Sequence, residues 1–282
     1  MKKAGLGSKL FTGLIFLFLY APIFVLIAFS FNSSKSRTVW TGFTLDWYGK
    51  LFSDSAIMDS LSVTLQVSIL ASVIATVLGT IAAIGLFALK RRWRSPILTI
   101  GNIPVVNADI ITGVSLSLLF VSAGTLLGFQ KGFGTLLLAH LTFNIPYVIL
   151  SVMPKLHQLD RNLFEAARDL GCSWLQGFFK VIIPQIRPGI VNGMLIAFTM
   201  SVDDFVISYF TAGSKVQTLS MTIYAMTRRR ISPEINAIST LLFATVLVLL
   251  VIINIRSIRQ EKVQKSPGAP TPGVISEGGI EN

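Results

Sequence analysis

The chain has 282 residues, of which 52% are hydrophobic and only 13% are charged. Soluble domains carry about 25% charged residues, so this composition excludes a soluble enzyme, a nucleic-acid-binding protein and a disordered chain. The net charge of +11 fits a membrane protein, because basic residues are retained on the cytoplasmic side of a bilayer. The single cysteine, Cys172, excludes an internal disulfide and a metal site built from several thiolates.

Long uncharged stretches predict an all-α membrane protein with six transmembrane helices. A helix of about 20 apolar residues crosses the hydrocarbon core of a bilayer, and five stretches reach that length without a charge. One further stretch is apolar apart from Asp203 and Asp204. The predicted spans lie near residues 10–31, 61–89, 99–123, 133–154, 189–212 and 235–257.

The distribution of basic residues predicts that both termini are cytoplasmic. Six spans put the termini on one side, and sixteen basic residues lie on that side against eight on the other. Arg228, Arg229 and Arg230 lie on the outer side, against this trend. The first apolar stretch is too long for a signal peptide and is expected to remain as a helix. We therefore expect a membrane domain over residues 1–258 and a disordered cytoplasmic tail, rich in Pro, Gly and Ser, over 259–282.

The predicted cytoplasmic loop 155–188 contains the signals of two short helices. Gly171 suits the left-handed position that ends a helix, and Ser173 with Gln176 predicts a capping box at the start of a second helix. Two prolines are expected to separate that helix from span five, namely Pro184 and Pro188. Physical arguments alone leave two explanations equally open, since the helices could cap their own bundle or contact a partner.

The same loop resembles the EAA motif of ABC importer permeases. That motif reads E-A-A, three residues, G and then I-x-L-P, and the chain matches it at Glu165, Ala166, Ala167, Gly171 and Pro184, with Ile183 in place of Leu. The resemblance implies a type I ABC importer permease fold in which Glu165, Ala166, Ala167 and Gly171 carry the contact with an ATPase subunit. The chain has no P-loop sequence, so ATP and Mg are expected on the partner ATPase and no cofactor is expected on this chain.

Three acidic residues lie inside the predicted spans, Asp109 in span three and Asp203 and Asp204 in span five. An ionised carboxylate at the centre of a membrane helix costs about 2.5–3.5 kcal/mol, and such acids usually face the bundle interior or a water-filled path. Because the spans offer no basic partner except Arg256 at the end of the last one, these acids predict a path for cations. Alternatively, Asp203 and Asp204 cap a broken helix or contact a neighbouring subunit.

Aromatic residues of the first outer loop extend this prediction. Trp40, Trp47 and Tyr48 are typical of anchors at the membrane interface, but aromatic faces also bind ammonium groups. Together with the three acids, they indicate an elongated polycation. His140 and His157 fit no metal-ligand spacing, so both are predicted to be structural and no metal site is expected.

Four segments resemble the second permease subunit of spermidine/putrescine importers, within a similarity that covers about residues 10–258. These segments are 31–35, 40–48, 197–206 and 233–237. The resemblance implies a polyamine path along Trp47, Asp109, Ser201, Asp203 and Asp204. It also implies a multi-pass subunit of the bacterial inner membrane, whose partners are a second related permease, two ATPase subunits and a soluble polyamine-binding protein, without nucleic acid.

Other functions stay open from the residues alone. The chain could be an ABC permease for another small solute, or a stand-alone secondary transporter or channel, which would need no EAA-like loop. An intramembrane aspartyl protease is a third alternative, although the sequence lacks the motifs around the aspartates of those enzymes. A neighbouring gene for a P-loop ATPase would separate the ABC permeases from the rest, but the sequence does not distinguish putrescine from spermidine.

Overall fold

The computed structural model describes residues 6–34, 39–159, 169, 171–229 and 233–264. These residues are mostly helical, and Asn32 and Phe43 form an isolated β-bridge in the segment between α1 and α2. In chain order the helices are α1 Leu6–Ser30, α2 Asp46–Ser53, α3 Ser55–Ala88, α4 Arg91–Gly101, α5 Ile103–Val106, α6 Asp109–Leu127, α7 Phe133–His157, α8 Trp174–Gly177, α9 Ile183–Asp203, α10 Val206–Thr211, α11 Leu219–Arg229 and α12 Pro233–Gln264. A π-helical turn, Phe178–Ile182, joins α8 to α9.

Five helical stretches are long and apolar enough to cross a membrane. They are Lys9–Ser30, Ser55–Ala88, Asp109–Leu127, Phe133–His157 and Phe178–Asp203. Helix α12 carries a shorter apolar stretch, Glu234–Val248. Five of the predicted spans therefore correspond to helices of the required length, with shifted boundaries, and the sixth stays a prediction that falls within α12.

The start of span three differs from the prediction. The span was predicted from residue 99, whereas the chain there forms α4 and α5 and begins α6 only at Asp109. Pro104 has no N–H for a bond to the carbonyl four residues earlier, and it lies in the first turn of α5, where a missing N–H is tolerated. Asp109 is consequently the first residue of α6 rather than a residue near the middle of a span, and a negative charge is favourable at a helix N-terminus.

Span five is interrupted, and the prediction of one continuous span over 189–212 is wrong. Helix α9 ends at Asp203, and α10 begins after two residues, the first of which, Asp204, has an extended backbone with ψ 124°. The predicted separation of this span from the loop by prolines is also wrong. Pro184 lies in the first turn of α9, where a missing N–H is tolerated, and Pro188 lies inside the helix.

The loop 155–188, which was predicted to be cytoplasmic, is described in part. Glu165, Ala166 and Ala167, which were predicted to carry the coupling contact, lie outside the described residues. Gly171 has the left-handed backbone predicted for it, with φ +81°. The predicted capping box at the start of α8 is confirmed, because the backbone N–H groups of Ser173 and Gln176 donate reciprocally to the two side chains over 3.1 and 3.3 Å.

The last helix is longer than predicted. Helix α12 runs to Gln264, so the prediction of disorder from residue 259 is wrong for residues 259–264. This segment reads RQEKVQ, and Arg, Gln, Glu and Lys are good helix formers. The remainder of the tail, residues 265–282, lies outside the described residues.

Helices α3, α7 and α9 pack together and form the largest buried cluster. Its apolar members are Ala75, Ala83, Val148, Val152, Leu156, Ile186 and Ala197. Glycines allow this close approach, since a Cβ added at Gly79 would lie 2.8 Å from the Val148 Cβ and one at Gly193 would lie 3.1 Å from the Val148 Cα. Packing of small residues is the main attraction between helices in a bilayer, where the surrounding lipid is as apolar as the side chains.

Candidate functional site

A cavity of about 280 Å³ lies at the break between α9 and α10. It is lined by Pro104, Asp109, Phe143, Tyr147, Met200, Asp203, Asp204, Phe205, Val206 and Ile207. The lining thus combines three carboxylates with three aromatic rings and contains neither lysine nor arginine. The structure brings three of the predicted path residues together here, although they come from two different helices and from the break between α9 and α10.

The carboxylates of Asp109 and Asp203 belong to exposed residues and are available to a solute in the cavity. Asp109 reaches the cavity because α6 begins at this residue, and Asp203 reaches it because α9 ends there. Carboxylates without a basic neighbour attract cations, as the acidic rings of cation channels do. Irregular backbone at membrane depth is tolerated where it lines such a cavity, which accounts for the position of the helix break.

The Asp204 carboxylate also borders the cavity, but unlike those of Asp109 and Asp203 it accepts hydrogen bonds from the start of α10. Its Oδ1 accepts the backbone N–H of Ile207 over 3.3 Å, and its Oδ2 accepts the backbone N–H and the hydroxyl of Ser208, both over 2.7 Å. These donors lie in the first turn of α10, where N–H groups have no intrahelical acceptor. Asp204 therefore caps the helix that follows the break, which is the alternative that the sequence left open.

A buried histidine completes this arrangement. His140 Nε2 lies 3.0 Å from the Ser208 Oγ and 3.6 Å from the Asp204 Oδ2, and the His140 side chain is only 1% exposed. In the tautomer that the network favours, Nε2 donates to the Ser208 Oγ, whose hydroxyl donates to Asp204. The prediction that His140 is structural agrees with this burial, but sequence spacing gave no sign of its contact with the acidic pair.

The short helix α10 is also fixed at its other end. The Lys131 Nζ donates to the Ser117 Oγ of α6 over 3.0 Å and to the Phe210 carbonyl over 3.2 Å. The Thr135 hydroxyl of α7 donates to the Thr211 carbonyl over 2.8 Å. These bonds satisfy carbonyl groups of the last turn of α10, so both ends of the helix are held by neighbouring helices.

Ser201 lies beneath the cavity, in the buried contact between α7 and α9. Its side chain is almost fully buried, and its Oγ accepts a hydrogen bond from the Asn144 Nδ2 over 2.8 Å. A buried polar pair of this kind links two membrane helices. Ser201 is therefore near the carboxylates in sequence but is not one of the residues that line the cavity.

The structure does not bring Trp47 to the cavity. Trp47 is 5% exposed and packs in a separate cluster with side chains of α2, α3, α11 and α12. Its indole N–H donates to the Asn32 carbonyl over 2.7 Å, and the Lys50 Nζ lies 4.6 Å from the centre of its ring. Trp47 thus fixes the segment between α1 and α3 to the bundle, whereas Trp40 is half-exposed and its role as an interfacial anchor stays a prediction.

Sequence reasoning missed the aromatic part of the cavity. Phe143 and Tyr147 of α7 and Phe205 at the break provide it, and Phe205 packs against Tyr224 of α11 with ring centres 4.5 Å apart and ring planes tilted by 39°. Phe143 and Tyr147 stand four residues apart, so one face of α7 presents both rings. A helical pattern of this kind is also typical of core packing, and the sequence offered no signal to separate the two.

Apolar helices around a cavity lined with carboxylates define an integral membrane transport component. The model of the family described as "Binding-protein-dependent transport system inner membrane component" matches residues 75–263. The chain belongs to this family of ABC transporter permeases.

Curated relatives share most of the chain. The putrescine transport system permease protein PotI of Escherichia coli K12 is 41% identical over 234 residues, which cover 82% of this chain and 83% of PotI. The spermidine/putrescine transport system permease protein PotC of the same strain is 34% identical over 254 residues, covering 90% and 94%. PotC of Haemophilus influenzae is 33% identical over 242 residues, covering 86% and 93%.

Solved structures share the fold at low sequence identity. A chain of a bacterial ABC transporter that imports the acidic polysaccharide alginate superposes with a TM-score of 0.65 at 18% identity, covering 90% of this chain and 95% of that chain. A chain of the MetNI methionine transporter superposes with a TM-score of 0.53 at 16% identity, covering 76% and 100%. The predicted type I ABC importer permease fold is thereby confirmed.

Proposed function

We propose that this chain is the permease subunit of an ATP-driven importer that moves polyamines, putrescine or spermidine, into the cytoplasm. The names of the PotI and PotC relatives support this substrate class, and their identities of 41% and 34% extend over most of the chain. The alginate transporter carries an acidic polymer on the same fold, so the fold itself does not select the charge of the solute. The choice of a cation depends on the residues of the cavity.

The observation that carries this proposal is the cavity at the helix break, which holds three carboxylates and no basic side chain among its lining residues. A polyamine loses hydration when it enters a narrow site, and a carboxylate replaces the lost water with a charge-assisted hydrogen bond. The rings of Phe143 and Tyr147 suit the methylene segments of such a solute, and aromatic faces also attract ammonium groups. A lining that combines carboxylates with apolar surface matches a chain of amines separated by methylenes.

The two neighbouring aspartates then have separate roles in this proposal. Asp203, together with Asp109, contacts the ammonium groups, because both side chains are open to the cavity. Asp204 keeps α10 in place through its bonds to Ile207 and Ser208. Binding at Asp203 must stay modest in strength, since a solute that is held tightly does not leave the path.

The remaining parts of the transporter follow from the family. We place the chain in the bacterial inner membrane with both termini cytoplasmic, as the bias of basic residues indicates. It pairs with a second related permease, two ATPase subunits that bind ATP and Mg, and a soluble polyamine-binding protein. Glu165, Ala166, Ala167 and Gly171 form the contact with the ATPase, and the left-handed Gly171 supports a helix end at this point.

Competition for uptake tests the substrate class. Membrane vesicles that contain the chain and its partner subunits are supplied with radiolabelled putrescine and increasing amounts of unlabelled spermidine, arginine or a neutral sugar. We expect the polyamine to compete and the other two solutes to have little effect. Uptake that is inhibited equally by all three, or that does not require the ATPase subunit, would contradict the proposed function.

A further inference from the structure

A second cavity of about 360 Å³ forms an apolar groove between the last turns of α3 and one face of α4. It is lined by Ala82, Gly85, Leu86, Leu89, Ile97, Leu98, Gly101, Asn102 and Ile149. None of these residues lines the carboxylate cavity, so the groove is a separate feature. It lies at the end of α3 that the bias of basic residues assigns to the cytoplasm.

Helix α4 has the composition of a helix that lies in the membrane interface. Its 11 residues rise only about 16 Å, which is too short to cross a bilayer. Arg91, Arg92 and Arg94 occupy its first turn together with the exposed Trp93, and the following turns are mainly apolar. Basic and aromatic residues at one end of an amphipathic helix are typical of contact with lipid headgroups.

The helical positions place one of these arginines at the groove. Residues three, four and seven positions apart share a face of a helix, so Arg94 shares a face with the lining residues Ile97, Leu98 and Gly101. Arg92 is two residues away from Arg94, which turns it about 200° around the helix axis. Lys90 follows directly after Leu89, another lining residue, and adds a second cation at the same end of the groove.

These cations have no acidic partner in the part of the chain that the structure describes. The contact between a histidine and a carboxylate found there joins His140 to Asp204, and among the described residues neither Lys90 nor any arginine of α4 has a carboxylate within salt-bridge distance. Arg94 is nevertheless half-buried. A half-buried guanidinium that borders an apolar groove needs an anion, and a phosphate fits its planar donor arrangement.

We propose that this groove binds one anionic phospholipid of the cytoplasmic leaflet. An acyl chain lies between α3 and α4, and the phosphate contacts Arg94 and Lys90. The observations favour a lipid over a neighbouring protein subunit, because one ligand then satisfies both the apolar groove and the cations beside it. The lipid would also hold the segment that leads to the carboxylate cavity, since α4 continues into α5, whose Pro104 lines that cavity.

Lipid retention measured by native mass spectrometry tests the charge contact. The full chain is purified in its complex, delipidated, and titrated with palmitoyl-oleoyl phosphatidylglycerol or with the phosphatidylcholine of the same acyl chains. We expect one phosphatidylglycerol to bind at concentrations at which phosphatidylcholine does not. Arg94→Gln should weaken this binding on the order of fivefold, whereas Arg92→Gln removes the same charge from the other side of α4 and should have little effect.

Filling the groove tests the position of the acyl chain independently of charge. A Cβ added at Gly85 meets nothing within 4 Å, so Gly85→Leu extends into the groove without a clash and should abolish retention of phosphatidylglycerol. Gly13 in α1 is equally open, and Gly13→Leu is the matched control that should retain the lipid.

Three results would overturn the proposal. The first is equal retention of the two lipids, and the second is equal loss in Arg92→Gln and Arg94→Gln. The third is the absence of bound phosphatidylglycerol from the complex, in which the second permease is present, because the groove would then be a subunit interface. The readout does not depend on transport, so failure here leaves the polyamine proposal intact.

Discussion

Exchange of each neighbouring aspartate for asparagine separates the role of binding a cation from the role of holding a helix. Asp203→Asn removes a charge that is open to the cavity, and no helix cap depends on it. A hydrogen bond to a charged group contributes about 1.5–3 kcal/mol, so the apparent affinity of the path for a polyamine should fall about tenfold to a hundredfold. The variant should still reach the membrane in normal amounts, because removal of a membrane charge eases insertion.

Asp204→Asn should have the opposite profile. The carboxylate accepts three hydrogen bonds from Ile207 and Ser208, and an asparagine turns an NH₂ group toward at least one of those donors. Loss of one such bond costs about 1–3 kcal/mol of stability. We expect a lower thermal midpoint and less protein in the membrane, with uptake reduced in proportion to the amount of protein.

The assay combines radiolabelled putrescine uptake with immunoblots of membrane abundance for each variant. Ser208→Ala serves as a control, because it removes one bond to Asp204 and leaves every cavity carboxylate in place. It should lower stability with little change in uptake per molecule. Normal uptake by Asp203→Asn, together with full stability of Asp204→Asn, would refute the assignment of the two roles.

Further predictions concern packing, coupling and the outer loop. Gly79→Leu should lower the amount of folded protein severely, because the new Cβ would lie 2.8 Å from the Val148 Cβ. Gly134→Leu should be tolerated, because a Cβ added there meets nothing within 4 Å. Thermal unfolding of the purified chain measures both effects. Gly171→Val should reduce co-purification of the ATPase subunit, because valine is strained at φ +81°, and unchanged recovery of the ATPase would exclude a coupling role. Trp47→Phe keeps an aromatic ring but loses the 2.7 Å hydrogen bond of the indole N–H, so the free energy of unfolding should fall by about 1 kcal/mol. The apparent affinity for polyamine should stay the same, and a large change in this affinity would indicate that Trp47 contacts the solute.

Features that depend only on residues close together in the sequence were predicted correctly. The left-handed Gly171 and the capping box of Ser173 and Gln176 depend on residues within one or two turns of the chain, and both occur as predicted. Five of the six predicted spans also correspond to helices that are long and apolar enough to cross a membrane, because this property depends on length and hydropathy alone.

Features that depend on distant residues could not be read from the sequence. Asp203 and Asp204 look equivalent as neighbours, and their roles separate only because the break directs one to the cavity and the other to the first turn of α10. A tryptophan such as Trp47 is equally typical of an interfacial anchor and of a core residue. Its burial depends on contacts with α11 and α12, which lie far along the chain. The contact of His140 with Ser208, 68 residues later, likewise requires the folded bundle.

The effects of the prolines depend on their positions relative to a helix start, which the sequence analysis did not predict. Pro104 lies in the first turn of α5, and the chain leaves helical structure only at Asn107 and Ala108, before α6 begins at Asp109. Pro184 and Pro188 were expected to separate a short helix from span five, but Pro184 lies in the first turn of α9, where a missing N–H is tolerated, and Pro188 lies inside that helix. The position of a proline relative to a helix start decides how well the helix tolerates it.

ATP-driven accumulation in proteoliposomes tests the central claim most directly. The complete transporter is reconstituted with its binding protein, and the accumulation of radiolabelled putrescine is compared with that of butane-1,4-diol, which has the same carbon chain but no charge. The account predicts that putrescine accumulates only with ATP on the ATPase side, that the diol does not accumulate, and that Asp203→Asn loses most of the putrescine transport. Equal transport of the diol, or putrescine accumulation that persists in Asp203→Asn at wild-type rates, would contradict a carboxylate-lined path for polyamines.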